Sequence, residues 1–350
     1  MCSILSFAFS GEAMKISTFA RGGTATPLVC CSLLIPLTAV IPRIASACAS
    51  CGCTLSSDAA MGYSANAGLR MSLQYDYIHQ DQLRSGTRSI SSVPDGSELE
   101  RETLNRYITA GLSYSPNSAW NVSLSVPYVV RTHSTYGAFD ASAQELPELS
   151  SSRSSSLGDV RLVGSYQGLL PTHNLGVQLG VKLPTGHYGT AVSFYGGPNA
   201  GSPLDASLQP GTGSTDIIVG AYYFQAISQD FDFFANGQFQ SAVKHHLDQP
   251  GNDFRPGNAT TVSFGLRYVA SPWLMPQLQV NLLRKSRDQG ALADIQSTAG
   301  NVAYISPGLS AKVVSNLHVY GFVQVPVYSN LYGYQLFPRY TVSAGVSYDL

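Results

Sequence analysis

Apolar and polar residues alternate with a period of two along much of this chain. Between Leu69 and Tyr77 the odd positions (Leu69, Met71, Leu73, Tyr75, Tyr77) are apolar or aromatic, and the even positions (Arg70, Ser72, Gln74, Asp76) are polar or charged. Leu175 to Leu183 and Tyr340 to Leu350 repeat the pattern. Successive side chains of a strand point to opposite faces, whereas a helix would scatter these residues around its circumference. The pattern predicts strands near 67–79, 103–114, 119–131, 158–169, 175–183, 214–225, 231–241, 260–270, 276–285, 302–313, 317–328 and 339–350. Near 214–225 and 302–313 apolar residues fall on both faces, so the signal there is weaker.

The connections alternate in length. Short turns follow every second strand: 115–118, 170–174, 226–230, 271–273 and 314–316. Long Gly-, Ser-, Pro- and Asp-rich connections follow the others: 80–102, 132–157, 184–213, 242–259, 286–301 and 329–338. Short periplasmic turns alternating with long external loops on an even number of strands is the anatomy of an outer-membrane barrel. Trp120 and Trp273 lie beside short turns, and Tyr77, Tyr128 and Tyr328 lie near the opposite strand ends, as two interfacial girdles require. The expectation is an all-β fold: a transmembrane antiparallel β-barrel of about twelve strands in the outer membrane.

Composition agrees. Charged residues make up 12% of the 350 residues, about half the usual share, while Tyr alone contributes 20. Beyond residue 50 no apolar run approaches the roughly 20 residues of a membrane helix. A net charge of −1 without a basic cluster argues against a nucleic-acid partner. Residues 1–47 read as a cleaved signal peptide: Lys15 and Arg21, an apolar core from Leu28 to Pro42, then Ala45-Ser46-Ala47. Met14 is the more natural start of that signal. Residues 48–66 form a Cys-containing periplasmic segment and 67–350 the barrel. All six cysteines precede residue 54, so no disulfide framework holds the barrel together.

Ser343-Ala344-Gly345-Val346-Ser347-Tyr348-Asp349-Leu350 resembles the terminal signal read by the outer-membrane assembly machinery, with Ser343, Gly345, Tyr348 and Leu350 at its recognised positions and Leu in place of the commoner Phe. Gly180-Val181-Lys182-Leu183-Pro184-Thr185-Gly186, followed by Leu208-Gln209-Pro210-Gly211-Thr212-Gly213-Ser214-Thr215-Asp216, resembles the family named for the putative MetA pathway of phenol degradation. That resemblance implies an outer-membrane barrel and transport of small molecules, and it brings no catalytic or binding residues with it. Pro184 and Gly186 end a strand and the Gly/Thr/Ser run opens the next, so the residues themselves read as structural.

Several clusters invite chemistry. Cys48, Cys51 and Cys53 suit a soft metal, a disulfide formed in the periplasm or, at Cys48, lipidation; no second ligand pair follows downstream. His245-His246 with Asp248 and Asp253 sits in a predicted external loop, where solvated polar residues are the default. The inward faces carry more: Arg70, Asp76, Arg131, Asp159, Arg161, Lys182, Asp232, Arg267 and Lys312 alternate with apolar neighbours. A charge on the lipid face costs roughly 2–4 kcal/mol near mid-bilayer, so these nine mark the wet side. They either select polar or anionic solutes in a narrow pore or pair with one another and fill a small barrel.

Three functions follow. A channel or transporter component for small-molecule solutes predicts conductance altered by Lys182→Glu or Arg267→Glu. A non-conducting structural or adhesive barrel would bind an external partner through its loops. A lipid-modifying enzyme would need a Ser/His/Asn constellation, which no strand presents. No cofactor is called for, and the expected surroundings are outer-membrane lipids and lipopolysaccharide.

Overall fold

The computed structural model describes residues 67–271 and 273–350. The expected signal peptide at 1–47, the segment 48–66 and the cysteine trio lie outside the described residues. The chain forms β1 (Gly68–Gly86), β2 (Arg88–Ser89), β3 (Glu98–Ser115), β4 (Trp120–Ala138), β5 (Ser150–Leu157), β6 (Val160–Tyr166) and β7 (Leu175–Leu183). A short 3-10 turn at Ala206–Leu208 precedes β8 (Ser214–Ala226), β9 (Phe231–His245), β10 (Asp248–Gln249), β11 (Asn252–Asp253), β12 (Ala259–Tyr268), β13 (Leu274–Lys285), β14 (Gly300–Val314) and β15 (Leu317–Asp349). No helix among the described residues is long and apolar enough to cross a membrane.

Eleven strands pair in antiparallel fashion into a ring that β1 and β15 close, with β2 and β5 attached beside it. β15 counts as one strand of 33 residues, yet its first half pairs with β14 and its second half with β1. Its two ends also meet: the Asp349 N–H donates to the Asn316 carbonyl at 2.9 Å. β15 therefore doubles back on itself near Gly333, whose φ of 63° suits a residue without a Cβ. With that hairpin counted as two, the wall has the even number of passes that the alternating connections predict.

The alternation decides which face meets lipid. On β13, Leu274, Leu278, Val280 and Leu282 are exposed outward, while Gln277, Gln279 and Asn281 are buried inward. Eight steps of about 3.3 Å from Leu274 to Leu282 give an apolar band on the order of 26 Å before tilt, close to the hydrocarbon thickness such barrels span. Trp120 and Trp273, 53% and 61% exposed, mark one rim; Tyr128 and Tyr328 stand outward toward the other.

The strands run further than hydropathy suggests. β1 continues to Gly86, β4 to Ala138, and β3 begins at Glu98, inside stretches expected to be loops. Above the hydrocarbon both faces of the wall are wet, so alternation fades although the backbone ladder continues. The strand expected at 158–169 is β6, which pairs the lower part of β4; β5, inside the stretch 132–157 expected to be loop, pairs the upper part, with Gly158-Asp159 between the two. The long connections also build a core of their own. Leu83, Val93, Leu99, Phe194, Leu204, Leu208 and Leu336 cluster at the loop end of the barrel.

Candidate functional site

Strand register fixes which side chains share the inner face. Arg70 stands opposite Asp349, Asp76 opposite Ser343, Arg131 opposite Asn105, Arg161 opposite both Ser125 and Lys182, Asp232 opposite Arg267, and Lys312 opposite His318. Directly paired residues of a sheet point the same way. Asp159 reaches the same side from the break between β5 and β6, where it meets Lys182.

Most of these charges are engaged locally. Arg70 Nε donates to Asp349 Oδ1 at 2.6 Å. Arg267 holds Asp232 through two contacts, 2.7 Å from Nε and 2.5 Å from Nη2. Asp76 accepts from Gln74 Nε2 and from the Ser343 hydroxyl. Gln74 in turn accepts from Tyr320, and Gln277 and Asn281 donate to Ser310 and Ser306. Along β13, β14, β15 and β1 the inner face is thus a ladder of buried amides, hydroxyls and paired charges.

The two glycine-containing motifs converge on a second arrangement. Lys182 Nζ lies 3.1 Å from Asp159 Oδ2 and 3.1 Å from Asp216 Oδ2, and it also donates to the Ser214 and Thr212 hydroxyls. Asp159 accepts from the Gly186 N–H at 3.1 Å, the Thr212 N–H at 3.0 Å and the Thr212 hydroxyl at 2.8 Å. Asp216 accepts from Ser214 Oγ at 2.6 Å and Gln240 Nε2 at 2.5 Å. Thr185 bonds the Gly158 carbonyl, and its hydroxyl accepts from the Val160 N–H. A Cβ at Gly186 would come within 2.8 Å of Gly211 Cα, so the backbones meet there because neither residue has a side chain. Asp159, Lys182, Ser214 and Asp216, the centre of this knot, are all buried. Lys182 and Arg267, which alternation alone nominates to govern conductance, are both tied up in ion pairs.

Arg161 differs. It is the direct cross-strand neighbour of Lys182, yet it makes no hydrogen bond or ion pair with any described residue. Protein surrounds it, with Asp216, Asp159 and Tyr107 near enough for their charges to be felt. Its side chain is nevertheless exposed. An enclosed and open guanidinium is what a wall around a water-filled space produces. Tyr107, Thr109, Ser125, Gln178 and Gln238, all on inward positions of β3, β4, β7 and β9, are partly exposed as well.

The connection 184–213 is no solvated loop. Leu204, Ala206, Leu208 and Gln209 are each at most 4% exposed. Arg131 Nη1 donates to the Leu208 carbonyl and, at 3.3 Å, to that of Gln209, while Nε donates to Asn105 and Nη2 to the Tyr107 hydroxyl at 2.9 Å. The Gln209 amide closes the loop on itself through the Val192 N–H and the Leu204 carbonyl. The loop thus folds inward over the mouth, anchored on the inner wall by a guanidinium whose partners are all neutral. Neither this anchor nor the contact between His133 and Glu100 (3.9 Å, both buried) stands out in the sequence. The hint is the apolar set Val192, Phe194, Leu204 and Leu208 in a connection otherwise rich in Gly, Ser and Pro.

A cavity of about 220 Å³ lies between this loop and the 286–299 connection, lined by Leu204, Asp205, Ala293 and Asp294 among others. Burial, the largest cause, and the nearby Asp288 raise the Asp294 carboxyl to a pKa of about 6 against the hydrogen bonds that lower it. His246 lies beside Tyr188, and Asp248 and Asp253 face each other across the small β10–β11 hairpin. No group of three or more His, Cys, Asp or Glu able to hold a metal occurs among the described residues. Of the terminal signal, Ser343 and Gly345 face inward, Gly345 against the Tyr320 ring; Tyr348 faces outward, and the Leu350 N–H donates to the Leu69 carbonyl.

The sequence matches the family model described as "Putative MetA-pathway of phenol degradation" over residues 84–336. No curated protein matches. Among solved structures, the COG4313 outer membrane channel from Pseudomonas putida F1 is similar with a TM-score of 0.57 at 12% identity, covering 85% of this chain and 100% of that one. The CymD monoaromatic hydrocarbon channel scores 0.43 at 11% identity, over 85% and 93% of the two chains. The Ralstonia pickettii toluene transporter TbuX scores 0.42 at 10% identity, over 81% and 90%. The fold is the outer-membrane β-barrel of the first of these.

Proposed function

Because the chain belongs to the family of the putative MetA pathway of phenol degradation, an outer-membrane barrel family, we propose that it is a passive channel for small molecules. The single observation that carries this reading is the water-accessible part of the inner face around Arg161. A barrel plugged by its own side chains has no reason to leave in its interior an open cation without a partner among the described residues. The path runs past the inward residues of β3, β4, β6, β7 and β9, and the inserted 184–213 loop sets its width. Chemistry on the solute plays no part in this reading. The outward apolar band seats the barrel among outer-membrane lipids and lipopolysaccharide, and residues 343–350 address it to the assembly machinery.

Purified mature protein in planar bilayers tests the proposal. Discrete, ohmic conductance steps are expected. A silent bilayer containing correctly inserted protein overturns the channel reading and favours the non-conducting barrel, whose loops would then be assayed for binding an external partner.

A further inference from the structure

We infer that the passage selects small organic anions and that Arg161 is the residue that engages their carboxylate. The inference deepens the channel reading and rests on it. Three observations carry it.

The first is the contrast with its neighbour. Lys182 and Arg161 face each other across β6 and β7. Lys182 has two carboxylates and two hydroxyls around it and is 3% exposed. Arg161 is open. The carboxylates near enough to draw it are already occupied. Asp159 accepts from Lys182, Gly186 and Thr212, and Asp216 from Lys182, Ser214 and Gln240.

The second is the local charge balance. Arg131, Arg161 and Lys182 supply three cations against the two carboxylates Asp159 and Asp216, because Arg131 is held by amide, carbonyl and phenol oxygens alone. From β4 to β8 this leaves one positive charge in excess, of which Arg161 is the open member; on the next strands the Asp76 carboxylate, opposite Tyr107, is buried and held by Gln74 and Ser343. In a narrow passage with low-dielectric walls one uncompensated charge dominates the choice between anion and cation.

The third is the second donor. The Tyr107 hydroxyl accepts from Arg131, which leaves its own proton to donate into the passage, and it lies within electrostatic range of Arg161. A guanidinium fork with a phenol O–H on the same inner face suits a planar carboxylate, for which bidentate charge-assisted bonds are the strong geometry. Neither donor rewards a neutral hydrocarbon.

The test is the reversal potential across a KCl gradient, followed by replacement of chloride with potassium acetate and potassium benzoate on one side. The wild-type channel is expected to prefer anions and to carry benzoate current. Arg161→Gln is expected to reduce the anion-to-cation permeability ratio on the order of tenfold. Arg161→Lys is expected to keep the preference for anions while losing part of the benzoate current, since a point charge replaces a planar fork. Heat-modifiable gel migration verifies that each variant is a folded barrel. Conductance that prefers cations, or that keeps the same permeability ratio in Arg161→Gln, overturns this inference and leaves the channel standing. Absence of any conductance in the wild type removes the channel itself, and the inference falls with it.

Discussion

Lys182 and Arg161 occupy facing positions on neighbouring strands, on the same side of the same wall, and meet opposite fates. One is sealed among carboxylates, hydroxyls and glycine backbone; the other stands in open space. The difference comes from what the chain brings to each. Two segments separated in sequence, 183–186 and 211–216, fold over Lys182 and deliver hydrogen-bond partners, whereas nothing described folds over Arg161. A charge on the inner face of a barrel is therefore a structural element or a solute contact according to its roof, not according to its sign or its place in the alternation.

The comparison breaks most visibly at Lys182. Lys182→Met strands Asp159 and Asp216 as buried carboxylates without a cation, and breaking such a pair costs about 3–5 kcal/mol. The expected result is a large loss of folded, heat-modifiable barrel, measured by urea titration in detergent micelles; unchanged resistance to urea would remove the knot from the account. Next comes Gly211→Ala. Its Cβ would sit 2.7 Å from Asp159 Oδ1 and from the Gly186 backbone. Overpacking of this kind costs about 1–3 kcal/mol, read in the same titration. Arg267→Gln removes a two-contact ion pair that is only partly buried, near the short-turn rim, and is expected to cost about 1–2 kcal/mol. Because it leaves the Asp232 carboxylate without its cation, it is also expected to lower the anion-to-cation permeability ratio, read from the reversal potential.

A smaller effect concerns pH. Asp294 has its carboxyl raised from 3.8 to about 6 by burial first, with Asp288 adding to it. The folded 286–299 connection thus favours the protonated form. Its stabilising contribution is complete below about pH 4 and is lost as pH rises through 6. Limited proteolysis of that connection should be slower at pH 5 than at pH 7.5, and an NMR titration of Asp294 should have its midpoint near 6; a midpoint near 4 would refute the assignment. The smallest expected effect on stability belongs to Arg161. With no partner among the described residues to lose, Arg161→Gln should leave the stability to urea within about 0.5 kcal/mol of wild type.

Much of the fold is legible because lipid and water impose opposite demands on adjacent positions. Leu69 to Tyr77 and Leu175 to Leu183 reveal their faces directly, and the alternating connection lengths give the even number of passes. The same reasoning nominates nine charges for the inner face, and strand register sets Arg161 opposite Lys182 and Asp232 opposite Arg267. Legibility ends where water lies on both sides. The upper parts of β1, β3 and β4, beyond Ile78, before Thr103 and after Arg131, carry no consistent period and read as loop. It ends again where partners come from afar. Nothing local to Arg131 announces that the Leu208 and Gln209 carbonyls will reach it, or that Asp159 and Asp216 will close on Lys182 and leave Arg161 alone. The motif around Gly186 and Gly211 could be read as structural, but not as the lid of an ion-pair knot.

The seam of the ring has a kinetic consequence. Arg70 and Asp349, which bond across it, are 279 positions apart in the chain. No earlier hairpin supplies this junction, so every intermediate on the way carries two raw edges, one at β1 and one at the growing end, each with unpaired amides and carbonyls that hydrocarbon cannot satisfy. Such a polypeptide pays the search for its most distant contact before it gains a sealed surface, and it folds slowly as a result. Until that last contact forms it needs escort through the periplasm, and a chain cut off before Thr341 would be a substrate for proteases rather than a smaller pore.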